Sequence, residues 1–169
     1  MSLDERFKHF SQRTFGPSGL ARGLAFAALR TWQDRPEEWP ANWDGFGRRF
    51  GSRCGRLAAG NAVQMGLGSL LKDDPRYRPS QKEGFKGRLA HALLSTFWVY
   101  DAQGSRMPAY SRFAGVTAGV FIESSWLPPS VHRPSDCAQR AAFFLAGNAI
   151  GNVFREFWPD IKRKLKRRD

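Results

Sequence analysis

The chain has 169 residues and a mass of 19.1 kDa, with 27 Lys+Arg against 15 Asp+Glu, a net charge of +12. This length predicts one domain, and 41% hydrophobic with 14% aromatic residues excludes wholesale disorder, a multidomain enzyme and a polytopic transporter. Two cysteines, Cys54 and Cys137, exclude a disulfide scaffold and a four-cysteine zinc site.

The opening MSLDERFKHFSQR is charged from its fourth residue and lacks the apolar core of a secretory signal, about 7–15 residues. Residues 1–16 read as an N-terminal extension, 17–161 as a single helical domain and 162–169 as a basic tail. Pro17, favoured in a first helical turn, opens a helix that runs to about Gln33. Pro36 and Pro40 break it. Asp44 caps a second helix, from Gly45 to about Lys72, which Asp73-Asp74-Pro75 ends. A third spans Gly84 to Tyr100 and stops at the turn-rich Asp101–Ser105. Pro108 opens a fourth, ending at Leu127-Pro128-Pro129, and Pro134 a fifth to about Trp158, where Pro159 kinks or restarts it. Strand signals are weak. The expected fold is all-α: about five helices in one compact, glycine-rich bundle.

Apolar stretches are short. The charge-free windows Leu57–Leu71, Leu89–Tyr100, Phe113–Ile122 and Ala141–Phe154 have 15, 12, 10 and 14 residues. A spanning helix needs about 20. No conventional membrane span is expected, while short, tilted or interfacial segments remain open.

Small residues recur every fourth position. Gly47, Gly51, Gly55 and Ala59 form one row, Ser111, Gly115 and Gly119 a second, and Gly147 with Gly151 a third. Residues four apart share a helical face. Each glycine costs a helix about 0.5–1 kcal/mol relative to alanine, so such rows predict close helix packing that offsets the loss. Membrane helices use this pattern, and so do tight crossings in soluble bundles. Asn61, Gln64, His91, Glu123, Asn148 and Asn152 interrupt the apolar windows and need partners if buried. Interhelical hydrogen bonding is the plainer reading; a ligand or proton site requires His91 and Glu123 to converge.

No sequence motif for catalysis appears: P-loop, nucleophile elbow, HExxH and Cys-x-x-Cys are all missing from the sequence. His9, His91 and His132 lack metal-ligand spacing. Gly45, Gly47 and Gly51 follow no strand and so cannot cradle a phosphate in the dinucleotide-binding manner. No catalytic residue, metal or cofactor is expected, and an enzyme is not. Cys54 and Cys137 read as buried small hydrophobes, with a disulfide between them the lesser alternative.

The sharpest charge feature is the tail, where Lys162, Arg163, Lys164, Lys166, Arg167 and Arg168 fill six of seven positions. Phe154-Arg155-Glu156-Phe157-Trp158 precedes it with aromatic residues suited to an interface. Such a cluster beside apolar helices predicts binding to an anionic membrane surface. Nucleic acid is the rival partner, but no recognised binding motif accompanies the charge.

Several segments carry a resemblance: Gly45–Phe50, Asp74-Pro75-Arg76-Tyr77, Gly87–Ala92, and Val153–Lys164 with its Glu-Phe-Trp-Pro-Asp-Ile core. Together they resemble a family of uncharacterised bacterial proteins, described as hypothetical envelope proteins. The resemblance implies an envelope location and supplies no activity or site. Members carry a signal peptide and a longer N-terminal region, from which this sequence departs, so a cytoplasmic location is expected if no signal lies upstream. In the matching segments, Arg76 is placed to pair with Glu156 or Asp160, pinning the Asp74 turn with Tyr77 and Trp158 around it.

These readings converge on a small membrane-associated protein with a structural or adaptor role. A homo-oligomer is compatible with the glycine rows. A soluble nucleic-acid-binding module and a small-molecule or lipid-binding bundle are the alternatives.

Overall fold

Capping and proline positions set most helix boundaries. The computed structural model describes residues 2–131 and 133–166. Among them are six α-helices: α1 (Leu3–Phe15), α2 (Pro17–Trp32), α3 (Trp43–Leu71), α4 (Phe85–Leu94), α5 (Tyr110–Ser124) and α6 (Pro134–Leu165). The protein is all-α. The helix beyond the five expected, α1, lies in the segment read as an extension, where Ser2 and Glu5 exchange hydrogen bonds in a capping box. Asn42 rather than Asp44 caps α3, accepting from the Gly45 N–H at 3.1 Å; Asp44 instead pairs with Arg48 one turn on. α6 runs through Pro159 without ending.

The helix expected over Gly84–Tyr100 stops at Leu94. Trp98–Tyr100 (β1) pairs antiparallel with Arg106–Pro108 (β2). Aromatic and β-branched side chains suit a strand, and Val99 is buried there. The connecting turn closes on Asp101, whose carboxylate accepts from the Gln103 and Ser105 N–H groups, with Gly104 at φ +85°. Pro108 therefore ends a strand, and α5 starts only at Tyr110.

The chain divides into two units, Met1–Lys72 with Tyr110–Ala141 and Asp73–Ala109 with Ala142–Asp169. In the first, α3 and α5 cross antiparallel with their backbones in close approach. A Cβ on Gly115 would lie 2.5 Å from the Gly60 carbonyl oxygen, and one on Gly119 2.9 Å from that of Arg56. One on Gly60 would meet the Gly115 oxygen at 2.7 Å. Only glycine fits here. Gly55 also packs, against the Trp126 ring. The other predicted packing glycines do not: at Gly47, Gly51, Gly147 and Gly151 an added Cβ would meet no described atom within 4 Å. Every-fourth spacing puts small residues on one face without saying which face turns inward: on α3 the inward glycine is Gly60, between Arg56 and Gln64.

The buried face of α3 is made of Gly45, Arg49, Ser52, Arg56, Asn61, Gln64 and Gly68. That of α5 is Ser111, Arg112, Gly115, Gly119, Val120 and Glu123. Both interiors are thus small and polar. Asn61 donates to the Thr14 hydroxyl at 2.9 Å, joining α3 to α1. Arg49 closes the α2–α3 connection by donating to four carbonyls, those of Arg35, Pro36, Trp39 and Pro40, at 2.7–3.1 Å.

The crossing and the open glycines make opposite predictions. Gly115→Ala should destabilise the protein by about 1–3 kcal/mol through overpacking against backbone. Gly147→Ala should be neutral or stabilising by up to about 1 kcal/mol through helix propensity. Denaturant unfolding of both variants checks the pair.

Candidate interface and its polar supports

Three arrangements gather the chemistry-bearing residues. The first is α6 within the second unit. Its inward row is polar: Asn152 (donating to the Thr96 hydroxyl at 3.3 Å), then Glu156, then Asp160, each one turn on. Its outward row is apolar: Phe143, Ile150, Phe154, Trp158, Ile161 and Leu165 are all exposed, Ile150 by 70%. Steps of four and three put this row on one face. Gly147 and Gly151 lie between Phe143 and Phe154 with no close neighbour. Phe154 and Trp158 pack at 4.9 Å between centroids, and the Lys162 ammonium lies 5.6 Å from the Trp158 ring. Lys162, Arg163, Lys164 and Lys166 are exposed beyond them, and Arg163 pairs with Asp160. Arg167, Arg168 and His132 lie outside the described residues.

The second arrangement supports the first. Glu156, its side chain 1% exposed, accepts from Tyr77 Oη at 2.7 Å, the Ser80 N–H at 3.0 Å and Arg88 Nε at 2.8 Å. Arg88 also donates to Asp160 at 2.6 Å and to the Glu156 carbonyl at 2.7 Å, with its guanidinium 4.7 Å from the Phe157 ring. Burial pushes the Glu156 carboxyl up, but the bonds from Arg88, Tyr77 and Ser80 outweigh it and hold its pKa below the ordinary value. Burial and the bond to Glu156 raise that of Tyr77.

This corrects the expected pairing. Arg76 binds Asp74, two residues away, through Nε and Nη2, both at 2.9 Å, and Arg78 joins them at 3.4 Å. Two residues of chain bring Arg76 to Asp74 at little entropic cost. Arg88 is the cation that reaches α6. Tyr77, expected to pack around the Arg76 pair, donates its hydroxyl to Glu156, whereas Trp158 belongs to the outward row. Arg88 stands in the Gly87–Ala92 segment, with no acid at helical spacing to mark it. Asp74 still anchors the turn, its N–H donating to the Tyr100 carbonyl at 2.8 Å.

The third arrangement is in the first unit, around the buried Glu123. Ser52 Oγ donates to its carboxylate at 3.2 Å and itself accepts from the Trp126 indole at 2.9 Å. Arg140 and Arg56 stand 3.3 and 3.7 Å away. Desolvation raises the Glu123 pKa against the pull of these cations, and lowers that of Arg56 to about 10. Cys137 is buried as expected, 3.1 Å from the Ser124 hydroxyl, and it forms no disulfide with Cys54. His91 Nε2 lies 3.0 Å from the Arg78 carbonyl. Glu123 and His91 thus each have partners within their own unit.

Around the α2–α3 connection, Trp32 and Trp43 are 83% and 86% exposed. With Ala28, Thr31, Ala41, Asn42 and Phe46 they line an open, largely apolar groove of about 590 Å³.

The Arg88–Glu156 assignment predicts strong coupling in a double-mutant cycle of Arg88→Ala and Glu156→Ala, against additive effects for Arg76→Ala with Glu156→Ala, read by denaturant unfolding. The linkage also has a definite sign. A carboxyl with a depressed folded pKa contributes stability that is complete above its ordinary value of 4.5 and lost as pH falls through the folded pKa. The amide signals of Tyr77 and Ser80 should therefore report loosening of the second unit in acid, and Glu156→Gln should flatten that dependence. Compared with known protein families, characterised proteins and solved structures, the chain matches none.

Proposed function

We propose that the protein is a membrane-associated structural or adaptor element that lies on an anionic bilayer surface. The observation that carries this reading is the reversed polarity of its helices. In α6 the polar row Asn152, Glu156 and Asp160 faces its own unit, while Phe143, Ile150, Phe154, Trp158, Ile161 and Leu165 face outward. A helix on the surface of a water-soluble protein does the opposite. Single exposed apolar residues are ordinary, but a continuous row backed by buried charges is not.

No helix of the described residues is long and apolar enough to cross a membrane. The fitting mode is a helix lying in the interface plane, its apolar face in the acyl boundary and its cations among the headgroups. Trp158 and Lys162 are adjacent on α6, with one ring and one charge at the same level. Exposed Trp32 and Trp43 at the α2–α3 connection offer a second apolar edge.

Flotation with vesicles tests the reading. The protein should bind phosphatidylcholine vesicles containing phosphatidylserine, and binding should fall steeply with salt. Removing residues 162–169 should weaken it by about 1 kcal/mol per lost cation near the surface. Phe154→Asp with Ile161→Asp should weaken binding even at low salt, because both side chains are exposed and their replacement leaves the polar supports intact. Binding unaffected by either change overturns the proposal.

A further inference from the structure

Trp32, at the end of α2, lines two grooves of different character. The apolar one, of about 590 Å³, lies between Trp32 and the Trp43 and Phe46 side chains of α3. Trp32 and Trp43 are exposed over most of their surface. Phe46 meets the Trp43 ring edge-on at 5.7 Å and stacks on Phe50 at 6.5 Å, which fixes the floor of the groove. Polar groups on its border are engaged within the chain. The Thr31 hydroxyl donates to the Ala27 carbonyl at 2.8 Å, and the Asn42 carboxamide oxygen accepts from the Gly45 N–H at 3.1 Å. The groove thus offers apolar contact more than hydrogen bonds, which suits an alkyl chain better than a sugar or a base.

The second groove, of about 510 Å³, is basic: Arg30, Gln33 and Arg35 line it with Trp32. Among the described residues neither guanidinium pairs with a carboxylate. Neighbouring Asp34 faces Arg49 at 3.7 Å, and Glu38 accepts from the Ser130 hydroxyl at 2.9 Å. Backbone bonds hold the two arginines at this end of the helix. The Arg35 N–H donates to the Arg30 carbonyl at 3.0 Å, and the Arg35 carbonyl accepts from Arg49 Nε at 2.8 Å. Burial first, then the charges of Arg35 and Arg140, lower the Arg30 pKa, and the weaker influence of Glu123 does not restore it. An anion in this groove relieves that repulsion. A cationic ligand, which exposed tryptophans attract elsewhere, meets the same two charges and is repelled.

We propose that the two grooves together hold one single-chain anionic lipid, its alkyl chain against Trp32, Trp43 and Phe46 and its phosphomonoester head against Arg30 and Arg35. Two guanidiniums without a carboxylate match a head that carries close to two negative charges, and their planar forks fit its oxygens. Trp32 belongs to both grooves and so joins the chain site to the head site. The site lies in the first unit, and it does not rest on the membrane reading, which α6 carries.

The experiment uses the full chain and dodecyl phosphate below its critical micelle concentration, without vesicles, so its failure leaves the α6 reading untouched. Calorimetric titration should give saturable binding of one molecule per chain, and tryptophan emission should shift to the blue as the indole rings leave water. Inorganic phosphate, the head alone, and dodecyl maltoside, the chain with a neutral head, should each bind about tenfold or more weakly. Trp43→Ala should weaken dodecyl phosphate about tenfold, and Arg35→Gln should bring it down to the level of the maltoside without changing the maltoside itself. Both side chains are exposed, so circular dichroism should stay as in the wild type. Equal binding of the maltoside and the alkyl phosphate overturns the proposal, as does a folded Trp43→Ala or Arg35→Gln protein with wild-type affinity for dodecyl phosphate.

Discussion

The contact on which the first unit depends is between two backbones. Gly60 on α3 faces Gly115 and Gly119 on α5, with no room for a single added carbon. Helices this close cannot interdigitate large side chains, so the interface buries little apolar area and gains little from the hydrophobic effect. What surrounds the crossing follows from that. Ser52 and Glu123 lie on one side of it and Gln64 on the other, where short or polar groups reach across the narrow gap. The fully buried hydrophobic residues described in this unit are correspondingly small, Ala27 and Val120.

Polar interiors need hydrogen bonding, and a few multidentate groups supply much of it here. Arg49 answers four carbonyls of the α2–α3 connection, that of Pro36 shared with the Trp39 N–H. Arg88 plays the equivalent part in the second unit, joining α4 to two acids and a carbonyl of α6. Buried ion pairs of this type fix geometry more than they add stability, because desolvation offsets much of the attraction. The two buried glutamates show both outcomes. Glu156, with three close donors, stays readily ionised, whereas Glu123, with longer approaches from its cations, is pushed toward the protonated form.

The all-α class could be read from prolines, caps and spacing because those signals are local. The glycine rows were visible too, yet only Gly55, Gly115 and Gly119 of the predicted set pack, and Gly60 was missed. Its row runs Arg56, Gly60, Gln64, so a long charged residue and an amide concealed the inward face. Polar residues mark that face in this protein, which inverts the usual hydrophobic criterion. The hairpin was hidden for another reason: strands of three residues are too short to show alternation. Arg88 was missed because its partners are 68 and 72 residues away, a separation no local pattern encodes.

The inverted faces also bear on where stability comes from. A helix whose inner face is Asn152, Glu156 and Asp160 draws orientation from its own unit, but most of its apolar surface stays unburied there. Covering that outer row removes it from water, and any surface that binds the folded form alone stabilises it by mass action. On the proposed reading the bilayer supplies this missing half of the hydrophobic effect, and the polar supports keep the row on one side of the helix.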